Sequence, residues 1–301
     1  MFITIFRTKS LRSASNMFIL NLAIFDLCMM FEMPMLIYNS YYQRLMGGDI
    51  ACTIYAVLGS FSGMGGAATN AAIAYDRFKT ISSPLDGKLS KGQAGFFIII
   101  TWLWSLPFTI LPMLKIWGRY IPEGFLTTCS FDFLTVNDDT KAFVASIFVW
   151  SYCIPMALIL LFYTRLFKHV KAHENMLKEQ AKRMNVQSLA ANKDQASQSV
   201  EIRIAKAAFT IFFLFVCAWT PYAIVALIGA FGERQLLTPL VTMIPAVCAK
   251  TVSCLDPWVY AISHPRYRAI LEKKVPWLGI KEDLQENNDS KSTMSTTTTA
   301  T

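Results

Sequence analysis

Long uninterrupted runs of apolar residues dominate this chain, in place of the alternating or three-and-four spacing of half-buried elements. The runs lie at Asn16 to Tyr38, Ile50 to Tyr75, Ala94 to Leu114, Phe143 to Phe167, Ile204 to Phe231 and Leu236 to Ile262. Each is near or above the roughly 20 residues that a helix needs to cross the hydrocarbon core of a bilayer. The pattern predicts an all-α membrane helix bundle over residues 16–262. Ahead of it, Met1 to Phe6 is a scrap of apolar sequence followed at once by Arg7, Lys9 and Arg12, with no room for a span or a secretory signal. Residues 1–15 are therefore expected to be the remnant of a further span with its first cytoplasmic loop, which makes the sequence a fragment. Residues 263–277 form an amphipathic stretch with Lys273 and Lys274, expected to lie as a short helix on the inner leaflet. The Asn-, Ser- and Thr-rich residues 278–301 are expected to be a disordered tail.

Composition agrees with a bilayer. Apolar residues make up 54% of the 301 and charged residues only 16%, against about 25% charged in soluble proteins. The net charge of +8 would fit nucleic acid if the cations formed one patch, but they are sorted by side. Arg44, Lys115, Arg119, Lys141 and Arg234 fall in one alternating set of intervals, and all the others except Lys250 fall in the opposite set. The basic set is placed in the cytoplasm by the positive-inside rule. The charge is thus topology, and nucleic acid binding is not expected.

Cysteine usage follows the same orientation. Cys28, Cys153, Cys217, Cys248 and Cys254 fall within spans, whereas Cys52 and Cys129 fall on the outer side, where disulfides persist. These two form the natural pair, the alternative being two small apolar residues left unbridged. The glycosylation triplet Asn288-Asp289-Ser290 falls in the cytoplasmic tail and is expected to be inert.

Lys250 is the residue with the plainest chemical promise. A lysine within a span costs about 2.5 kcal/mol or more on insertion scales and is a functional candidate by default. No carboxylate precedes it within a helical turn. Desolvation frees the lone pair of a buried amine for attack on an aldehyde, giving a Schiff base. Two other readings stay open on the residues alone: an ion pair with an acid on another helix, or a water-filled cavity holding an anionic ligand. Asp26 and Asp256 are further acids within spans, able to share water or an ion inside the bundle. Pro155, Pro221 and Pro257 would kink their helices, and Trp219 and Tyr222 flank the second of them. Asp76-Arg77-Phe78 closes one span on the inner side, where Arg77 has Asp76 or Glu201 as a partner. His169 and His173 are four apart on one helical face without a carboxylate in place, which reads as solvated loop rather than a metal site.

Taken together, Asn21-Leu22-Ala23-Ile24-Phe25-Asp26, Cys52 with Cys129, Asp76-Arg77-Phe78, Cys217-Ala218-Trp219-Thr220-Pro221-Tyr222 and Asp256-Pro257-Trp258-Val259-Tyr260 resemble a rhodopsin-family G-protein-coupled receptor of seven spans. Lys250 in the last span is similar to the opsin branch. His264-Pro265-Arg266-Tyr267-Arg268 and Glu179-Gln180-Ala181-Lys182-Arg183-Met184-Asn185-Val186 are similar to arthropod visual opsins. The resemblance implies 11-cis retinal carried covalently on Lys250, photoisomerisation to all-trans, and signalling through a Gq-type G protein from a photoreceptor cell membrane. Arrestin and a receptor kinase are implied at the inner face. It also implies a retinal pocket of Tyr55, Gly59, Ser60, Gly63, Trp219, Tyr222, Ala223 and Ala246. Asp76, Arg77, Tyr163, Glu201, Asp256 and Tyr260 match the family's switch positions. Vertebrate visual opsins place an acid where Tyr55 stands, so a different counterion is required, and Glu123 matches the acid that serves invertebrate opsins.

Two departures refine this. Arthropod ultraviolet opsins carry a lysine shortly before the proline of Phe31-Glu32-Met33-Pro34, so blue sensitivity is expected instead. The usual tyrosine after Arg77 is Phe78, which keeps the aromatic volume, and coupling is expected to survive. Two rival classes remain: a receptor in which Lys250 holds a soluble carboxylate by charge, and a retinal photoisomerase that shares the fold without signalling.

Overall fold

The computed structural model describes residues 13–83, 87–184 and 191–263, together with 268, 272, 273 and 276–278. The first two helices are α1 (Ala14–Met30) and α2 (Met33–Tyr41), followed by α3 (Gly48–Ser82) and α4 (Lys91–Met113). A hairpin of β1 (Tyr120–Glu123) and β2 (Thr128–Phe131) comes next. Then follow α5 (Asp138–Phe148), a π-helical turn at Val149–Cys153, α6 (Ile154–Met184), α7 (Ala191–Phe231) and α8 (Pro239–Ser263). Among the described residues six stretches are long and apolar enough to span a membrane: Ala14–Tyr41, Gly48–Ser82, Lys91–Met113, Asp138–His173, Ile202–Phe231 and Pro239–Tyr260. Each contains or overlaps one of the apolar runs. Residues 1–12, most of 264–275 and residues 279–301 lie outside the described residues, so the expected first-span remnant, surface helix and tail are not described.

Helix ends follow their side chains. The Ser13 side chain accepts a hydrogen bond from the Asn16 backbone N–H at 3.3 Å and opens α1. Ser90 and Gln93 form a reciprocal capping box on α4. The first span is interrupted at Phe31 and Glu32, just ahead of Pro34. Proline offers no N–H and its ring crowds the carbonyl four residues back. Across this break Phe31 is 60% exposed while its neighbour Glu32 is fully enclosed.

Several apolar clusters fill the bundle, two of which mark its ends. One, toward the inner side, gathers Phe18, Leu22, Ile73, Ile159, Tyr163, Leu166, Ile211, Phe212 and Tyr260. The other, outward, holds Leu36, Cys52, Tyr55, Ala56 and Cys129. Asn21 joins three helices between them. Its amide donates to Thr69 Oγ1 at 2.8 Å and Thr101 Oγ1 at 3.0 Å, and its oxygen accepts from Trp102 Nε1 at 2.8 Å. A buried amide in an apolar bundle is costly unless satisfied in this way.

The hairpin is the element that apolar runs do not announce. Its strands are antiparallel with Glu123 opposite Thr128, and Gly124 in the turn has φ +62°, a conformation that suits glycine. The expected bridge is present: Cys52 at the outer end of α3 is joined to Cys129 on β2, with Cα atoms 5.3 Å apart. Cys129, Thr128 and Glu123 are all buried, so the hairpin is packed into the outer end of the bundle. Burial raises the carboxyl of Asp132 just beyond β2, but hydrogen bonds from Thr135, Arg119 and the Leu134 backbone prevail and hold it below its ordinary value.

Candidate functional site

Lys250 projects from α8 into the bundle. Its Nζ lies 3.3 Å from Glu32 Oε2, with side-chain exposures of 12% and 0%, and 5.3 Å from the centre of the Tyr55 ring. The Lys250 to Glu32 contact is the ion pair the structure records for either residue. In the sequence Glu32 stood out only as part of the segment where ultraviolet opsins carry a lysine, because nothing in the spacing of residues 32 and 250 reveals that they meet. Pro34 was the available signal, since the first span is interrupted just ahead of it.

The predicted counterion Glu123 stands elsewhere in the same neighbourhood. It is 2% exposed, and Oε2 accepts a hydrogen bond from the Tyr222 hydroxyl at 3.4 Å. Tyr222 is also hydrogen-bonded to Ser130 on β2, so the hairpin and α7 meet at this acid. Burial pushes the Glu123 carboxyl up to about 7, against Lys250 and the Tyr222 hydroxyl, which favour its charged form. Its charge reaches Lys250, but the direct partner is Glu32.

A cavity opens beside the amine. Of the predicted pocket, Gly59, Ser60, Gly63, Trp219, Tyr222, Ala223 and Ala246 line it together with Lys250, and Tyr55 stands apart against the lysine instead. Residues that the sequence reading missed complete the wall, among them Met64, Phe131, Phe148, Tyr152, Phe215 and Ala249. Several come from the hairpin and from α5 to α6, whose register against the cavity has no simple sequence signal. Small residues at 59, 63, 246 and 249 leave the space, and aromatic rings bound it. At Gly63 the fit is tight: a Cβ there would lie 2.6 Å from the Trp219 ring.

A second, smaller cavity lies on the inner side of Trp219, lined by Asp26, Ser62, Asn70, Ser253 and Asp256 as well as Gly63 and Trp219. The two isolated acids of the sequence thus share one space. Further inward, Arg77 is paired with Asp76, with Nε 3.1 Å from Oδ2 and both side chains buried. Tyr163 and Tyr260 are buried in the same apolar cluster nearby. The Glu201 side chain lies outside the described residues, so the Asp76 alternative is the one seen. Among the described residues no group of His, Cys, Asp and Glu could hold a metal ion.

The family described as 7 transmembrane receptor (rhodopsin family) matches residues 1–260. The chain is 67% identical over 299 residues to Opsin-3 of Manduca sexta, covering 99% of this chain and 77% of that protein. It belongs to the rhodopsin family, as an arthropod visual opsin. This opsin is also 62% identical over 281 residues to the blue-sensitive opsin of Apis mellifera, covering 93% of this chain and 74% of that one. Its fold is similar to the crystal structure of squid rhodopsin, with a TM-score of 0.87, 31% identity, and coverage of 98% of this chain and 85% of that one. The opsin is therefore a multi-pass membrane photoreceptor of the G-protein-coupled class, a receptor class and not an enzyme class, with a G protein as its partner.

Proposed function

We propose that this opsin carries 11-cis retinal as a Schiff base on Lys250 and activates a Gq-type G protein in rhabdomeric photoreceptor cells, with arrestin and a receptor kinase acting at its inner face. The observation that carries the reading is a buried primary amine at the wall of a cavity framed by small and aromatic residues, with one acid in contact and a second in electrostatic reach. The residues present fit such a group. An aldehyde with a long apolar tail needs an amine, a largely apolar, aromatic-lined space and an anion beside the nitrogen, and all three are here. The chromophore would supply light absorption and the 11-cis to all-trans shape change.

The protein's own side chains do the rest. Glu32 holds a proton on the Lys250 nitrogen by charge, and Glu123 adds a second, more distant negative charge whose protonation follows pH. The Trp219 ring separates the chromophore space from the Asp26 and Asp256 cavity, so a push on Trp219 reaches the acids of the inner half. Pro221 lies within α7 beside it, and the Arg77 to Asp76 pair is the contact that a movement at the inner end would disturb. Blue rather than ultraviolet sensitivity follows from Glu32. An acid at this position favours the protonated, visible-absorbing form, where a lysine would disfavour it.

The test is a difference spectrum of membranes containing the full chain with 11-cis retinal, alongside Lys250→Ala, followed by borohydride trapping. A light-sensitive visible band that is lost in the variant, with retinal trapped on Lys250, is the expected result. A well-folded protein with no band would refute the photoreceptor chemistry and favour a lysine that holds a soluble carboxylate. A band without light-driven nucleotide exchange on a Gq-type protein would leave a photoisomerase.

A further inference from the structure

Gly59 stands on α3 directly against Glu32. A Cβ built on it would lie 2.7 Å from Glu32 Oε1 and 3.3 Å from both Cδ and Oε2, so the missing methyl is the space that the carboxylate occupies. The same carboxylate is 3.3 Å from Lys250 Nζ and fully enclosed. Gly59 also lines the chromophore cavity, which places it between the cavity and the acid. From this geometry we propose that Gly59 is the positioning residue of the counterion: its lack of a side chain lets Glu32 reach Lys250, and it sets the absorption band through Glu32. The inference rests on Glu32 acting as counterion, as argued above.

The constraint at Gly59 is steric. A carbon-to-oxygen approach under 3.0 Å is not tolerated, and the group that gives way is the far end of a flexible side chain rather than the α3 backbone. Alanine is also the better helix former, so Gly59→Ala keeps the fold while moving the carboxylate. The pair is already near contact, and a charge-assisted N···O separation has little room below about 2.8 Å. Displacement of the acid therefore weakens its hold on the nitrogen. A weaker anion at the nitrogen lowers the excitation energy and makes the proton easier to lose to alkali.

The experiment is a double-mutant cycle on the full chain regenerated with 11-cis retinal: parent, Gly59→Ala, Glu32→Gln and both together, read by absorption maximum and by the pH at which the visible band is lost. Folding is followed separately by thermal denaturation of the retinal-free proteins. Gly59→Ala is expected to move the band to longer wavelength and the alkaline midpoint down by about one unit, and to add almost nothing once Glu32 is Gln. An unchanged band and midpoint in Gly59→Ala, with a normal response to Glu32→Gln, would overturn the inference alone. Equal shifts from Gly59→Ala in both backgrounds would also overturn it, since the methyl would then act on the chromophore directly. No response to Glu32→Gln would overturn the counterion reading beneath it. Should Gly59→Ala fail to regenerate, Gly59→Ala with Glu32→Asp, which withdraws the acid by one methylene, is expected to restore pigment; continued failure of this pair overturns the inference.

Discussion

Replacing Glu32 with Gln removes one negative charge and little volume, which makes the cost of the ion pair measurable. At 3.3 Å and an effective dielectric constant of about 20, the charge interaction is worth about 5 kcal/mol. At 1.36 kcal/mol per unit, that corresponds to about 3.7 pH units in the alkaline loss of the visible band. Glu123 remains within reach and the Gln carbonyl still accepts a hydrogen bond, so the expected fall is about 2 to 4 units. The assay is a spectral titration of regenerated pigment, following conversion of the visible band to a near-ultraviolet one as alkali is added. Glu123→Gln serves as the comparison and should move the midpoint less, because its acid lies beyond direct contact. A change below about half a unit in Glu32→Gln, or a larger change in Glu123→Gln, would refute the assignment of the near counterion.

Other expectations follow from the same contacts. Because Glu123 is pushed up to about 7, it is charged above that pH and neutral below it. Acidification through pH 7 should thus shift the dark band to longer wavelength, and Glu123→Gln should abolish the shift. The Cys52 to Cys129 bridge closes 77 residues, and its loss through Cys52→Ser with Cys129→Ser should cost about 4.5 kcal/mol by loop-closure entropy, seen as faster thermal bleaching. Asn21→Ala removes the acceptor of Trp102 Nε1 and the donor to two buried hydroxyls, with an expected loss of about 1 kcal/mol, measured by thermal denaturation. Asp76→Asn removes the acid's charge from the Arg77 pair and should raise nucleotide exchange in the dark.

The spans and the polar residues placed within them were legible because both depend on local composition. A lysine among apolar residues, two cysteines on the oxidising side and a charge-sorted set of intervals need no tertiary information. Helix limits were less legible where helices outrun their apolar runs. The run ending at Tyr75 continues as helix to Ser82, and the run ending at Phe167 continues to Met184, because residues beyond the bilayer remain good helix formers in polar sequence. The hairpin was invisible to hydropathy since its strands are four residues each. Partner choice was the least legible: Glu32 and Glu123 are both acids outside any local pattern with Lys250, and only the bundle decides which one touches the nitrogen.

The interruption between α1 and α2 has a meaning for colour as well as for packing. With Glu32 as counterion, the wavelength of this opsin depends on a carboxylate that a proline three-dimensionally aims from two residues away. Substitutions at Pro34 would retune the pigment while the acid, the lysine and the cavity lining kept their identities. Selection for a new spectral niche thus has a route through backbone shape, and comparing pigments by their retinal-facing residues alone would overlook it.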